Sequence, residues 1–407
     1  MMIADLHIHS RFSRATSKEM IIPKIAEYAK LKGIGMVGTA DFTHPEWQKE
    51  LKKYLKPGDG VYEYGGVKFV LNVEVNNIYT KNGKLRRLHN IIFAPDFDAV
   101  EKITEYVGRY GKLQSDGRPI LSLDTYEMLK VLLDISTDIF LVPAHIWTPW
   151  FSLFGSNSGF DSIEECFGDL KDRVFAMETG LSSDPAMNWR LSVLDDYTLI
   201  SNSDAHSPTR LGREVNVFSE ELNYFGLRDV LKNKDRKRFL YTIEFYPEEG
   251  KYHFDGHRKC DVRLSPRESR FNNNLCPVCS RSLTIGVLHR VESLGDREEG
   301  FVPENAIPYK NLIPLEEIIA EAMGVGRDTV GVKNEYRRLC GVFGNEFEIL
   351  LNVPISDLQN NTQERIALGV DRTRRGDLII KPGYDGEFGT VRIFEEEKPT
   401  ESQMSLF

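Results

Sequence analysis

The stretch Asp5-Leu6-His7-Ile8-His9 decides how the rest of this chain is interpreted, because it places two histidines one residue apart at the end of an apolar run. On a β-strand, residues i and i+2 point to the same face, so the two imidazoles lie side by side. Paired imidazoles at a strand end are typical metal ligands. A lone His-x-His pair is more often a surface accident, so the interpretation depends on whether ligand-type residues recur farther along the chain.

Composition excludes several protein classes. The 407 residues predict two or three domains, and 41% hydrophobic residues supply a large core. No apolar run reaches the roughly eighteen residues of a membrane span, and we expect no secretory signal and no membrane partner. Five cysteines, three of them clustered, fit a reducing cytoplasm better than a disulfide framework. The net charge of −9 argues weakly against nucleic acid, although carboxylates that bind metals contribute to it.

The first 245 residues alternate short apolar runs with helix-like segments. Strands are expected at 3–8, 35–39, 69–75, 88–93, 140–144, 174–178 and 198–203, with helices at 21–32, 126–133 and 225–231. Such alternation indicates a parallel sheet, and this many repeats without a Gly-x-Gly-x-x-Gly turn favour a closed (β/α) barrel. Barrel enzymes place their chemistry at the carboxyl ends of the strands.

Ligand-type residues stand at the ends of the predicted strands. In chain order the seven strands contribute His7 and His9, Asp41 with His44 just beyond it, Glu74, His89, His145, Glu178, and Asp204 with His206. Each residue alone is ordinarily a hydrogen-bonded core group, but so many arriving at successive strand ends favour a metal centre. Mixed histidine and carboxylate ligands suit zinc, manganese or iron, and a bridging carboxylate such as Glu74 suits two or three ions. We expect zinc, with Mg or Mn as alternatives.

A second ligand set follows the linker-like stretch 247–250. Cys276-Pro277-Val278-Cys279 is a Cys-x-x-Cys knuckle, a strong signal for structural zinc, and Cys260 is the third cysteine nearby. The expected fourth ligand is His257, and the alternatives left open are His253, His289, Cys340 and Cys166. A redox Cys-x-x-Cys would need a thioredoxin-like strand-helix context, which is absent here. We therefore predict a zinc-binding module over 246–303.

This module is basic although the chain is acidic. Five Lys or Arg stand against two acidic residues from 257 to 270, and six stand against two from 228 to 238. Charge runs are usually solvated faces, but two of them beside a zinc knuckle favour a surface for a phosphate backbone. Arg258, Lys259 and Arg263 are the candidate DNA contacts, which moves the expected substrate from a small phosphoester toward nucleic acid.

The remaining residues predict a small α+β domain over 304–394 and a flexible tail over 395–407. Helices are expected at 315–323, 329–339 and near 347–351, and strands at 377–381 and 389–394. This domain is either one wall of a DNA groove or a stabilising cap. The tail ends Gln403-Met404-Ser405-Leu406-Phe407, which resembles the first half of a sliding-clamp-binding box and makes a clamp a candidate partner. The aromatic pair of the complete box is absent, so a chance match stays open.

The barrel ligands resemble the polymerase-and-histidinol-phosphatase (PHP) family of metal-dependent phosphoesterases. The residues that carry the resemblance are His7-x-His9, Glu74, His89, His145, Glu178 and Asp204-x-His206. The resemblance implies a distorted seven-stranded barrel with a trinuclear metal site that hydrolyses phosphoesters. Asp204, Glu178 and His206 are the candidate catalytic residues, the carboxylates to ligate and orient the nucleophile.

Two departures from the PHP pattern concern the ligand set. Asp41-Phe42 stands where many members carry Asp-His, so His44 is the candidate replacement for the lost imidazole. Many members also have a further histidine shortly after the first motif, where this chain has residues 13–15, read Ser-Arg-Ala. One metal ion is therefore expected to be held more weakly.

The order of barrel, zinc module and small C-terminal domain resembles the endonuclease Q family over nearly the full chain. The stretches that carry the resemblance are 40–45 (ADFTHP), 145–150 (HIWTPW), 201–206 (SNSDAH), 256–260 (GHRKC) and 264–266 (LSP). The resemblance implies nicking of DNA on the 5′ side of deaminated bases (uracil, hypoxanthine, xanthine) and of abasic sites, and a cytoplasmic, nucleoid-associated enzyme. Two alternatives remain: a histidinol-phosphatase-like enzyme, which has no use for the zinc module, and a DNA-binding scaffold with a degenerate barrel, which predicts missing ligands.

An enzyme that detects deamination has to inspect a base edge, which in a duplex requires flipping the nucleotide out of the stack. The expected reader is segment 147–160, which follows His145. Its aromatic residues, Trp150 and Phe151 foremost, could stack on the extruded base, and Ser156, Asn157 and Ser158 could bond the carbonyl that deamination creates. Trp147, Phe154 and Phe160 belong to the same aromatic cluster, although any one of them more often packs a loop onto its barrel.

Overall fold

The computed structural model of the chain describes residues 1–58 and 60–395. The segment 403–407, in which the clamp-binding motif is predicted, lies outside the described residues. None of the described helices is long and apolar enough to cross a bilayer.

All seven predicted strands are present, five of them in one large sheet and two in a separate pair. Among the described residues, one sheet contains eleven strands and β9 pairs with β10 in a separate two-stranded sheet. The first twelve strands are β1 (Met2–Asp5), β2 (Met36–Gly38), β3 (Lys56–Pro57), β4 (Tyr62–Tyr64), β5 (Val67–Lys81), β6 (Lys84–Ala94), β7 (Ile120–Leu121), β8 (Phe140–Pro143), β9 (Ala176–Glu178), β10 (Thr198–Ile200), β11 (Val215–Phe218) and β12 (Phe239–Glu244). The count of seven strands in the barrel itself stays a prediction.

A long antiparallel hairpin corrects the prediction of a parallel sheet. β1 pairs with β2, and β2 with β5, in parallel, but β6 runs antiparallel to both β5 and β8. The turn of the hairpin is Asn82-Gly83, with φ angles of 52° and 73°, the geometry of a two-residue hairpin turn. Because the hairpin is long, Glu74 and His89 lie in the middle of strands, not at the strand ends where the sequence analysis placed them.

Seven helices of the barrel region bury apolar faces against the sheet. They are α1 (Ile22–Lys32), α2 (Pro45–Tyr54), α3 (Phe97–Val107), α4 (Thr125–Ile135), α5 (Ile163–Phe167), α6 (Pro185–Asn188) and α7 (Tyr224–Asn233). The helices α1, α4 and α7 match the three predicted ones. In α4, Met128, Leu129 and Leu132 are fully buried, the spacing of one helix face. This packing holds the strands, and therefore the strand-borne ligands, in fixed positions.

The residues beyond 245 form a small module and a helical region that is tied to the barrel. The module comprises β13 (Asp255–His257), β14 (Val262–Leu264), α8 (Pro266–Phe271) and α9 (Val287–Leu294). The last region comprises β15 (Tyr309–Asn311), α10 (Leu315–Met323), α11 (Val330–Phe343), α12 (Glu346–Leu351), α13 (Ile355–Asn361), α14 (Glu364–Arg375), β16 (Ile379–Lys381) and β17 (Thr390–Arg392). β15 pairs with β12 of the barrel sheet, and Lys32 Nζ lies 2.6 Å from Glu346 Oε2 in a buried ion pair. The domain boundaries at 245 and 303 stay a prediction.

Candidate active site

The predicted barrel ligands meet in two groups of three side chains. The first group is His7, His9 and Asp204, and the second is Glu74, His89 and His145; within each group the ligand atoms lie within 4.8 Å of one another. Glu74 connects the groups. Its Oε1 lies 2.6 Å from His89 Nδ1 and its Oε2 lies 3.3 Å from His9 Nε2. A carboxylate that reaches both groups has the position of a bridging ligand.

Three of the site residues adopt left-handed backbone conformations within four residues after the end of a strand. The φ angles of Asp41, His145 and Asp204 are 44°, 31° and 47°. These residues follow β2, β8 and β10, so the turn that ends each strand also sets the direction of a side chain. A non-glycine residue in this region carries on the order of 1–2 kcal/mol of strain, which proteins retain mainly at functional sites.

Buried carboxylates and imidazoles hold one another in the charged form. Burial lowers the pKa of His9, but its hydrogen bond with Asp204 and the nearby carboxylate of Asp41 outweigh this effect and raise the pKa to about 9. Burial raises the pKa of Glu74, but the neighbouring His89 ring and nearby cations hold it well below its ordinary value. Burial lowers the pKa of His89 itself to about 4, so the other imidazoles of the two groups carry the protons that balance the carboxylates. Divalent cations that displaced those protons would balance the same charge.

Unpartnered atoms in the site show that the donor set fits metal ions. His7 Nε2, His9 Nδ1 and Asp41 Oδ1 are buried and have no hydrogen-bond partner among the described residues. A buried polar atom without a partner costs about 1–3 kcal/mol. Imidazole nitrogens and carboxylate oxygens of this kind are ligands for zinc or manganese, so bound ions would satisfy these atoms.

Glu178 lies one contact away from the two groups. Both of its carboxylate oxygens are 3.0 Å from His7 Nδ1, and they also accept from the backbone N–H of His145 (2.9 Å) and from Asn202 Nδ2 (2.8 Å). This arrangement fixes the tautomer and the ring orientation of His7 and leaves His7 Nε2 for a ligand. Glu178 thus belongs to neither group of three and contacts the candidate ligand His7 instead.

Asp204 and His206 are the most open members of the site. The Asp204 side chain is 28% exposed and the His206 side chain 32%, whereas Glu74 is fully buried. Asp204 Oδ1 lies 2.8 Å from His9 Nε2, and the His206 ring lies 4.4 Å from the His9 ring. Of the two predicted catalytic carboxylates, Asp204 is therefore the one that substrate can reach.

Asp41 is held by two serines, and His44 does not join it. Asp41 Oδ2 accepts hydrogen bonds from Ser10 Oγ (2.5 Å) and from Ser13 Oγ (2.8 Å), while Asp41 Oδ1 lies 3.7 Å from His9 Nδ1. His44 stacks on Phe12 with 4.3 Å between the ring centroids and belongs to neither group of three. The structure does not bring His44 to the place of the missing imidazole.

The aromatic residues of segment 147–160 divide into core and site. Trp147, Phe154 and Phe160 are buried in the main hydrophobic core, which overturns a stacking role for these three. Trp150 is 40% exposed and packs edge-on against Tyr252, with 5.6 Å between the ring centroids. Phe151 lies 5.1 Å from the His89 ring, beside the metal ligands.

A cavity of about 340 Å³ lies between this loop and the start of the module. It is lined mainly by apolar groups, among them Thr148, Trp150 and Phe151 from the loop and Tyr252, His253 and Val287 from the module. Thr148 Oγ1 is 3.4 Å from His145 Nδ1, so the cavity adjoins the metal ligands. Ser156, Asn157 and Ser158 do not line it: the first two are exposed, and Ser158 Oγ accepts from the backbone N–H of Phe151.

The predicted zinc ligands His257, Cys260, Cys276 and Cys279 come together, with their ligand atoms within 4.8 Å of one another. His257 Nδ1 lies 3.5 Å from Cys279 Sγ. Burial raises the pKa of the Cys276 thiol, but the backbone N–H groups of Cys279 and Val278 lower it to about 7. The four alternative ligands stand elsewhere: His289 pairs with Asp255, His253 lines the cavity, and Cys166 and Cys340 lie in α5 and α11.

The candidate DNA-contacting residues of the module are exposed at its edge. Arg258 Nε lies 3.6 Å from Glu387 Oε1, and Arg263 Nη1 donates to the Pro382 carbonyl at 3.2 Å. Both contacts reach the segment between β16 and β17. Lys259 has no ion pair among the residues that the structure describes, so its charge is the least compensated of the three.

Sequence reasoning missed three groups that support the ligands. Arg118 Nη1 donates to Glu74 Oε2 at 3.2 Å, Asn202 holds Glu178, and Asp5 accepts from the backbone N–H and the hydroxyl of Ser203 beside Asp204. Asp5 and Asn202 flank ligand motifs, so their proximity was a usable signal. Arg118 precedes a two-residue strand, and no periodicity indicates it.

Two groups of histidine and carboxylate side chains that both contact one buried glutamate define a metal-dependent hydrolase of phosphate esters. The lesion-specific endonuclease PfuEndoQ from Pyrococcus furiosus matches 100% of this chain and 99% of its own, with a TM-score of 0.86 and 34% identity. Endonuclease Q in complex with a 27-mer duplex substrate with an abasic lesion at the active site matches over 97% of each chain, with a TM-score of 0.85 and 35% identity. The chain belongs to the endonuclease Q family.

Other relatives extend the family without adding an activity. The family model of the MJ0043 C-terminal domain matches residues 314–377. The uncharacterized protein MJ0043 of Methanocaldococcus jannaschii is 36% identical over 252 residues, which are 60% of this chain and 31% of that protein. The chain thus spans about a third of that relative. The uncharacterized protein YqxK of Bacillus subtilis is 28% identical over 414 residues, covering 96% of this chain and 98% of its own length.

Proposed function

We propose that this protein is a DNA repair endonuclease that hydrolyses the phosphodiester on the 5′ side of deaminated bases (uracil, hypoxanthine, xanthine) and of abasic sites. The observation that carries the proposal is the pair of ligand groups that both contact Glu74. It occurs in a chain of which 97% matches an endonuclease Q that was solved in complex with an abasic-site duplex. A scaffold with a degenerate barrel is disfavoured, since the ligand residues are present and face one another.

In the proposed mechanism, divalent cations, with zinc as the first candidate and Mg or Mn as alternatives, would be held by His7, His9, Asp204, Glu74, His89 and His145, and Asp41 could supply a further ligand. Cations held there would neutralise phosphate oxygens and activate water. Asp204, the exposed carboxylate, orients the attacking water, and His206 beside it is placed to move a proton. Glu178 keeps His7 in the required tautomer.

The extruded nucleotide is proposed to enter the cavity beside Trp150 and Tyr252. Its volume of about 340 Å³ falls at the lower end of the range for small-molecule sites, roughly 300–1,000 Å³. Aromatic stacking there tolerates every base, while Thr148 and the buried His253 supply polar groups. Trp150→Ala should change the ratio of uracil to abasic-site nicking more than Ser156→Ala or Asn157→Ala does. Parental ratios in all three variants would exclude this loop and direct the search for the recognition site to the zinc-binding module or the C-terminal domain.

Structural zinc at His257, Cys260, Cys276 and Cys279 is proposed to fold the module that carries the basic residues. Three cysteines and a histidine form a typical closed zinc site. Arg258, Lys259 and Arg263 then contact phosphates and contribute affinity, not base discrimination.

Strand mapping tests the function directly. Duplexes that differ by one uracil, hypoxanthine, xanthine or abasic site should be nicked 5′ of the lesion, and the undamaged duplex should remain intact. The alternative, a histidinol-phosphatase-like enzyme, predicts release of phosphate from histidinol phosphate without nicking of any duplex.

A sliding clamp is proposed as a partner through residues 403–407. The support is the sequence Gln403-Met404-Ser405-Leu406-Phe407 at the end of an acidic tail. A pull-down with purified clamp should lose binding when Gln403 and Leu406 are both replaced by alanine; equal binding of the parent and the variant would remove the motif from consideration.

A further inference from the structure

An arginine that is not a metal ligand reaches into the metal centre. Arg118 Nη1 donates to Glu74 Oε2 at 3.2 Å, and the arginine side chain is 24% exposed while Glu74 is fully buried. Glu74 Oε2 also lies 3.3 Å from His9 Nε2. The guanidinium therefore stands between the bridging carboxylate of both ligand groups and the solvent side of the site.

The loop that carries Arg118 is packed tightly against the site. Gly117 N–H donates to the Phe12 carbonyl at 3.0 Å, and a Cβ at Gly117 would collide with Asp41 Oδ2 and Ser13 Oγ, so no other residue permits this approach. This is the side of the centre on which Ser13 stands in the region of the expected further histidine. The fixed positive charge of Arg118 is thus carried by a loop that packs directly against Asp41 and Ser13.

The other end of the loop is fixed to the strand that carries Glu74. The Pro119 carbonyl accepts from the Asn76 N–H at 2.9 Å, two residues beyond Glu74, and β7 then pairs in parallel with β5. Before the arginine, Asp116 Oδ1 accepts from the Arg118 N–H at 3.2 Å. Hydrogen bonds before and after Arg118 therefore fix the backbone that carries the guanidinium.

The guanidinium of Arg118 has more N–H donors than the described residues use. It offers five N–H groups in a planar fork, and the described residues supply Glu74 as its one hydrogen-bond partner. Nearby Glu74 raises the pKa of Arg118 further, so the charge is permanent. A planar fork beside metal ligands matches the oxygens of a phosphate group.

We propose that Arg118 binds a non-bridging oxygen of the scissile phosphate and stabilises the charge that develops there during hydrolysis. The role rests on the proposed function. As the water oxygen bonds to phosphorus, the bond from phosphorus to one deoxyribose oxygen breaks, and the proton released by water balances the one that the leaving oxygen gains. Because Glu74 and the rigid loop hold the guanidinium in place, little reorganisation is needed at that moment.

Arg118→Gln tests this role, and Arg14→Gln is the matched control. Arg14 is 75% exposed and pairs with Asp116 Oδ2 at 3.3 Å. Asp116 belongs to the loop that carries Arg118, but Arg14 itself has no contact with Glu74. Two substrates are compared, the abasic-site duplex and bis(p-nitrophenyl) phosphate. We expect Arg118→Gln to lower kcat on the order of 100-fold for both, with parental metal content by elemental analysis. Arg118→Lys should recover part of the loss, and added guanidinium ion should partly rescue Arg118→Ala.

Three results would overturn the role. Parental kcat on both substrates would remove Arg118 from the reaction. Loss of metal together with activity would show that Arg118 acts only by holding Glu74. Loss of duplex nicking alone, with diester hydrolysis intact, would place Arg118 on flanking DNA. If the parent hydrolyses the diester but nicks no damaged duplex, the proposed function fails, and the diester series still decides the role of Arg118.

Discussion

The barrel centre and the cysteine knuckle are both clusters of metal-ligand residues, but their surroundings differ. The barrel ligands project from strands whose core continues through the whole sheet, so the protein fold holds them. Among the described residues, the buried apolar cluster at the knuckle consists of Val262, Cys276 and Leu283, with Cys260 and Leu264 packed against it, and Cys276 is itself a predicted ligand. A metal in the barrel would therefore add chemistry to a structure that already exists, whereas a metal at the knuckle would contribute to the folding of the module.

The largest expected effect separates chemistry from folding in the barrel. Asp204→Asn should lower single-turnover nicking of an abasic-site duplex on the order of 10³-fold, because the variant loses the exposed charged ligand. Its melting temperature and its duplex affinity should stay close to the parental values. Asp134→Asn, on the exposed side of α4, is the control. Full activity of Asp204→Asn would contradict the assignment of the metal centre.

A smaller effect is expected at Glu178, which contacts the candidate ligand His7. Glu178→Gln should weaken metal binding about 10–100-fold, since the group that orients His7 is altered, and excess metal should restore nicking. Metal titration of activity measures this, with the exposed Glu164→Gln as the matched control. A loss that saturating metal does not repair would make Glu178 a direct participant, as the sequence analysis had it.

The knuckle should respond in the opposite way. Cys276→Ser or Cys279→Ser should remove one zinc per chain and destabilise the module by about 4 kcal/mol or more. Hydrolysis of bis(p-nitrophenyl) phosphate in the barrel should persist while duplex nicking falls. Elemental analysis and thermal unfolding measure the two parts. An unchanged zinc count would contradict the assignment of the knuckle as a zinc site.

The smallest effect is expected at the basic edge of the module. Lys259→Gln should reduce the slope of log affinity against log salt by about 1, equally for damaged and undamaged duplexes. Arg258→Gln should change it less, because Glu387 already compensates part of that charge. Equal slopes in the parent and in both variants would remove this edge from the DNA surface.

The sequence predicted the strands better than their directions. Every candidate strand formed, and α10 spans the residues that the apolar pattern indicated, because these segments carry strong local periodicity. The hairpin of β5 and β6 was missed although Asn82-Gly83 is a hairpin signal, since the expectation of βαβ units overrode it. Direction is set by pairing between distant segments, which a local pattern does not contain.

The sequence pointed to the residues of the candidate site, but it did not distinguish direct metal ligands from the groups that support them. Ligand-type residues recurred along the chain, so the six members of the two groups were among the candidates, but their division into two groups was not foreseen. The same patterns could not rank Glu178 below Asp204, because the difference lies in which atoms are already hydrogen-bonded. Arg118 escaped notice because the close approach of Gly117 to Asp41 and Ser13, and not a repeating pattern, brings its loop to the site.

The pairing of β15 with β12 limits how this protein can be cut. Thr242 N–H donates to the Pro308 carbonyl at 3.0 Å, and Leu312 N–H donates to the Glu244 carbonyl at 3.1 Å. A fragment that stops at residue 303 would leave one side of β12 with unpaired N–H and carbonyl groups, and such an open strand edge invites aggregation. Isolating the barrel as an independent enzyme would therefore require retaining residues 304–312 or capping the edge with charged residues.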